Sequence, residues 1–150
     1  MNAHNVFPPF ELNKRLSNVR LKMAKNKVDC VIITIPENIY YLTELDHWGF
    51  FACHLLVVPK EGEMILICRA MERITVENQV KNVQFFGHAD NEDPADYVFS
   101  ALSDLGLLNS RIGLEKSSLF LTARLAESIQ LKTKGVEWQD TSTLVSDLRL

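Results

Sequence analysis

Residues 28–35 read VDCVIITI, an apolar and β-branched run that stops at Pro36. A run of that length without alternating polar positions suits a strand buried on both faces, as in a sheet covered by helices on each side. The segment ahead of it is of another kind. After Pro8 and Pro9, Leu12, Leu16, Val19 and Met23 recur every three or four residues among lysines and arginines, until Asn26 and Lys27 interrupt them. That spacing predicts an amphipathic helix leading into the strand.

The remainder alternates in the same way. A short helix is expected from Pro36 through Leu42, a loop over 43–49, and a strand over 50–58. Pro59, Lys60, Glu61, Gly62 and Glu63 have hairpin-loop chemistry, so 64–68 should return antiparallel. Ile74, Val76 and Val80 suggest a helix within 70–80, followed by a strand over 83–86 that ends at Gly87. Asp93 and Pro94 read as the cap and first position of a helix with Val98, Ala101, Leu102 and Leu105 on one face. RIGLE at 111–115 is a fifth strand; Leu121, Leu125 and Ile129 mark a helix ending near Gly135; 136–139 is a sixth strand. Thr141, Ser142 and Thr143 then cap a terminal helix carrying Leu144, Val145 and Leu148. Strands alternating with helices, plus one hairpin, imply an α/β fold with a mixed sheet flanked by helices. The 150 residues suffice for one domain, residues 1–150, with one good core.

Charge and motif content remove several functions. A net charge of −3 and the absence of a basic run argue against a nucleic-acid partner. Residues 1–15 contain no apolar stretch behind a positive start, so neither secretion nor membrane insertion is expected. Cys30, Cys53 and Cys68 are odd in number and lie in or beside apolar runs, which reads as reduced core thiols of a cytoplasmic protein. No glycine-rich phosphate loop, no GxSxG elbow and no HExxH or HxxxH pair occurs. His4, His47, His54 and His88 therefore offer no metal spacing, and no catalytic residue is assigned.

The segment holding DHWGFF at 46–51 collects aromatic and proton-carrying groups in a loop entering a strand, where binding groups gather. On strand alternation, Phe50, Ala52, His54, Leu56 and Val58 share one face. His54 is then either a core or edge histidine bonded to backbone, or a group facing a substrate or interface. Trp48 either plugs the domain's own core or projects into a partner subunit. His47 reads as a solvated loop residue. Arg69 either pairs with Glu72 or binds an anion, the former preferred. Asp90, Glu92 and Asp93 suit the dipole of the helix that follows better than a cation site. Tyr40, Tyr41, Phe85, Phe86 and Phe99 are assigned to the core.

Four stretches together resemble a known family: Arg15, Leu16, Val19, Arg20 and Met23 of the first helix with the VDCVIIT strand; NIYYLT at 38–43; LLVVPKEGE at 55–63; and RIGLEKSSLFLT at 111–122. Their order and spacing resemble the amino-terminal domain of the creatinase, prolidase and Xaa-Pro aminopeptidase family, pita-bread metallopeptidases and hydrolases. DHWGFF looks most like creatinase-like and ectoine-hydrolase-like members, while Glu44 and Leu45 stand where a glycine and an aromatic residue are usual. The resemblance implies a six-stranded mixed sheet of ribonuclease-H-like topology, joined to a C-terminal catalytic domain. It also implies two divalent metal ions in that second domain, held by two aspartates, a histidine and two glutamates beyond Leu150, which activate a bridging water for attack on an amide carbon. The partners implied are that domain, a second subunit of a homodimer, and a small peptide or amide substrate. Trp48, Phe50 and His54 would shape the substrate pocket or the interface. By this reading the chain stops in mid-helix before its catalytic domain and is inactive alone. The competing expectation is a stand-alone binding or scaffold module of the same fold.

Overall fold

The computed structural model describes residues 6–149. In chain order they form α1 (Pro9–Lys25), β1 (Cys30–Ile33), α2 (Pro36–Thr43), β2 (Leu55–Pro59), β3 (Met64–Arg69), α3 (Arg73–Gln79), β4 (Val83–His88), α4 (Pro94–Asp104), β5 (Arg111–Leu114), α5 (Ala123–Lys132) and β6 (Glu137–Asp140). The six strands make one sheet in the order β4-β3-β2-β1-β5-β6. β2 runs antiparallel to both β1 and β3, while β3–β4, β1–β5 and β5–β6 are parallel. Five strands therefore present their carboxyl ends at the same edge, and α2 begins there.

Period-2 alternation divides the central strands between two cores. Val31, Ile33, Leu56, Val58 and Leu66 meet Val19 and Met23 of α1, Ile39 and Leu42 of α2 and Val76 of α3. Cys30, Ile32, Leu55, Val57 and Ile67 meet Val98, Ala101 and Leu102 of α4 and Ile129 of α5. With helices on both faces, β1 is buried at every position, which is why its sequence does not alternate. Each Leu or Ile so buried contributes about 1.5–3 kcal/mol.

Local signals mark the ends of the elements. Pro9, Pro36 and Pro94 open α1, α2 and α4 at first-turn positions, and Asp93 accepts the Ala95 N–H as a helix cap. Asp93 also accepts the Ser128 hydroxyl and the Lys132 ammonium, which ties α4 to α5. This acid therefore has structural partners, in line with the dipole reading. Gly62 turns the hairpin with a positive φ of 88°.

Four expectations change. The strand expected over 50–58 begins only at Leu55: β1 ends at Ile33 opposite Leu56, and although β3 runs on to Arg69, the residues before Leu55 turn back on themselves, with Ala52 N–H bonded to Gly49 O and the His54 ring to Ala52 O. Gly49–Phe51 form a 3-10 turn instead. Alternation survives near the strand, with His54 on the Leu56 side. The expected terminal helix is a run of turns ending in a 3-10 segment, Ser146–Arg149, since Thr141 first donates its N–H to Leu114 O beside β5. The helix expected within 70–80 does form, as α3, with Ile74 74% exposed while Val76 and Val80 are buried, because only one of its faces packs on the sheet. Phe99, expected in the core, is exposed on the outer side of α4. β4 also runs through Gly87 to His88.

Candidate functional site

Glu115, the residue after β5, organises the carboxyl edge. Its carboxylate accepts the N–H groups of Thr34 and Ile35 at 2.6 and 2.8 Å and the Asn38 amide at 2.6 Å. The end of β1 and the first turn of α2 are held to β5 by this one side chain, which is 1% exposed. Burial pushes its proton affinity above the usual carboxylate range, against the opposing pull of the three N–H donors and of Arg149. Asn38 also donates to Ser146 Oγ at 3.2 Å, so the same network reaches the last described segment.

From α2 the chain enters the aromatic loop through Glu44, which adopts a left-handed conformation with φ 64°. A glycine would take that geometry without steric cost. Here the Glu44 carboxylate is buried and accepts the Phe7 N–H at 2.6 Å, which supports the unusual residue at the turn.

Beyond Glu44, two imidazoles carry the loop. His47 Nε2 and His54 Nε2 lie 2.9 Å apart, His54 Nδ1 lies 2.9 Å from Ala52 O, and the Gly49 N–H points at His47 Nδ1 from 3.2 Å. The backbone partners assign the tautomers. Gly49 N–H only donates, so His47 Nδ1 is an acceptor and the ring proton sits on Nε2; it donates to His54 Nε2, and His54 donates from Nδ1 to Ala52 O. Both rings are then neutral. Burial agrees with this, pushing His47 below the ordinary histidine range and His54 down to about 4. The Phe50 ring packs on both, with centroids 4.9 Å from His47 and 4.5 Å from His54.

A carboxylate reaches the rings from another element. Glu72, in the 3-10 turn Ala70–Glu72, places Oε2 3.5 Å from His47 Nδ1 and accepts Arg69 Nη2 on Oε1 at 2.7 Å. The preferred reading of Arg69 therefore holds, and its guanidinium also stacks over Phe51 at 4.6 Å. Gly49 is required by this packing. A Cβ there would sit 2.7 Å from both Glu72 Oε1 and His47 Nδ1.

The three residues singled out in the sequence occupy different environments. Trp48 is 97% exposed, which excludes the alternative that it plugs this domain's core. Phe50 is half-buried and lines a cleft of about 570 Å3 between α1, α2 and the loop. His54 is 1% exposed beneath it, so the backbone-bonded alternative describes it. His47, expected to be solvated, has a side chain only 9% exposed and lines the cleft. It was missed because a histidine between Asp46 and Trp48 carries no sign of a carboxylate arriving from 25 positions later. Tyr40 and Tyr41, expected in the core, also face the cleft, where the Arg15 guanidinium lies 4.6 Å from the Tyr41 ring centroid and 4.0 Å from that of Phe7.

Among the described residues, no group of three or more His, Cys, Asp or Glu side chains is placed to hold a metal ion. The two imidazoles spend their nitrogens on each other and on backbone. This donor set does not fit the metal pair implied by the resemblance. No described helix is long and apolar enough to cross a membrane.

Known proteins share both the sequence pattern and the architecture. The chain is 24% identical over 152 residues to an uncharacterized hydrolase/peptidase of Sinorhizobium fredii, covering 95% of this chain and 39% of that protein. It is 26% identical over 141 residues to the ectoine hydrolase of Halomonas elongata, covering 88% and 35% respectively. The chain thus spans little more than a third of these relatives' length. In three dimensions it superposes with a TM-score of 0.75 on the creatinase/prolidase N-terminal domain of an X-Pro dipeptidase from Streptococcus pyogenes, at 20% identity over 90% of this chain and 98% of that one. That likeness shows the fold. Residues 15–150 match the Creatinase/Prolidase N-terminal domain family as a whole, and the chain belongs to that family.

Proposed function

We propose that this chain is the non-catalytic N-terminal domain of a metal-dependent hydrolase acting on Xaa-Pro peptides or related small amides. In that role it shapes the substrate pocket and the contact between subunits of a homodimer. The observation that carries the reading is Trp48: an indole 97% exposed, on a loop pinned from beneath by His47 and His54. Exposed aromatic rings on rigid supports suit burial against a partner, where Trp is enriched among the energetic anchors of interfaces. The two-metal chemistry belongs to the second domain expected in the parent protein. Phe50 forms cleft wall, and His54 is a positioning residue that acts through His47.

The division of labour is measurable in the full-length protein. Trp48→Ala should leave the melting temperature of the isolated chain unchanged, because the ring has almost no contact to lose there. It should lower kcat/KM by about tenfold, the effect of about 1.4 kcal/mol of lost binding. His54→Ala should raise KM or change substrate preference. Unchanged kinetics for both variants across several substrates would sink the pocket role.

The parent itself is tested by immunoblot of source cells with an antibody against this chain. A band at more than twice 17.1 kDa is expected. A band at 17.1 kDa would replace the reading with a stand-alone binding module.

A further inference from the structure

The His47–His54 pair is built so that one added proton changes what holds the loop. As described, His47 Nδ1 has a lone pair that the Gly49 N–H fills at 3.2 Å, while Glu72 Oε2 waits 3.5 Å from the same nitrogen without a proton between them. The other ring nitrogen is already engaged at 2.9 Å with His54, whose Nδ1 is tied to Ala52 O. A proton reaching His47 can therefore enter only at Nδ1.

We propose that His47, His54 and Glu72 form a proton-operated latch on the 46–52 loop. Protonating His47 Nδ1 breaks its bond with the Gly49 amide, transfers the ring to the Glu72 carboxylate, and frees the peptide segment that carries Trp48. The proton comes from solvent, adds to the Nδ1 lone pair, and displaces no other group. Gly49 N–H is left without an acceptor, which a turn exposed to water on the Trp48 side resolves by shifting. This inference needs only the loop and is independent of any parent enzyme.

The groups facing His47 bear on where the latch opens. Glu72 and Asp46 favour the charged ring; Arg69 from β3 and burial oppose it, and burial is the largest influence. Across the cleft stand Arg15 of α1, Glu37, Tyr40 and Tyr41 of α2, and Arg149, two cations against one carboxylate. A histidine depressed in the fold stabilises the closed loop above its ordinary value of about 6.5 and loses that stabilisation as pH falls through the lower, folded value. Opening therefore belongs on the acid side of 6.5.

The test is an NMR titration of the 15N-labelled chain from pH 7.5 to 4.5, following the His47 ring nitrogens, the Gly49 amide and the Trp48 indole, with circular dichroism to monitor folding. The three signals should move together with one midpoint below pH 6.5. In Glu72→Gln the midpoint should shift to lower pH. In His47→Asn, whose amide oxygen still accepts the Gly49 N–H, the transition should vanish. A Gly49 amide that stays still while the His47 ring titrates would overturn the latch, as would unfolding before the ring titrates or an unaltered transition in His47→Asn.

Discussion

Replacing Glu115 with Ala is expected to cost about 4 kcal/mol of stability and about 8–16 °C in melting temperature. The carboxylate is 1% exposed and is the acceptor for Thr34 N–H, Ile35 N–H and the Asn38 amide. Each donor left without a partner in a buried site costs about 1–3 kcal/mol, and Ala supplies none of them. Glu115→Gln keeps the Oε1 position for the two backbone donors and requires only that Asn38 turn its amide, so about 1–2 kcal/mol is expected there. Urea unfolding of the three proteins at fixed pH measures both differences.

The pH dependence adds a second readout. Burial raises the Glu115 value above that of an unfolded glutamate, so the neutral form is favoured by folding. Its contribution is complete below the unfolded value and is lost as pH rises through the folded one. Glu115→Gln does not titrate there. Its stability gap from wild type should narrow between pH 4 and pH 7, and a gap that widens would mean that the N–H donors outweigh burial.

Gly113→Val is the second large effect, at about 3 kcal/mol, with Gly113→Ala at about 1–3 kcal/mol. Gly113 lies mid-strand in β5, between Val31 of β1 and Gln139 of β6. A side chain there would run into Thr141, whose Cβ stands 2.9 Å from an ideal Gly113 Cβ and whose hydroxyl and methyl are nearer still. Thr141 has little freedom to withdraw, because its N–H is bonded to Leu114 O at 3.0 Å. The overlap is with a named partner, so the double variant Gly113→Ala/Thr141→Ala should recover part of the loss. Thr141 Oγ1 is buried without a hydrogen-bond partner among the described residues, so removing it adds little cost. Thermal melts of the single and double variants give the coupling; strict additivity would show that Thr141 is not what excludes a side chain at 113.

These two residues also show how far a sequence of this kind is legible. RIGLE reads as a strand, and β5 is one, but a glycine inside a strand normally weakens it. The reason for Gly113 lies in a threonine 28 positions on, and the reason for Glu115 in two amides and an asparagine about 80 positions earlier. Neither separation leaves a periodic trace. Where partners are close in the chain, the reading was good: the α1 stripe, the 59–63 hairpin, the Asp93–Pro94 cap and the Arg69–Glu72 pair all depend on neighbours within a few residues. At the site, the aromatic loop was conspicuous from composition alone, while the roles within it were not. Trp48 turned outward, His54 went under the loop, and His47 proved to be the imidazole that meets both Glu72 and the cleft.

The sequence by itself determined the succession of helices and strands, the two-faced burial of β1 and the family resemblance that the comparisons bear out, because periodicity, capping and turn chemistry act over one or two turns of chain. Only the tertiary structure decided where β2 begins, why Gly49 and Gly113 have no side chain, and which histidine faces a carboxylate. Those outcomes depend on atoms brought within about 3 Å by packing, and the distance along the chain between them says nothing of that.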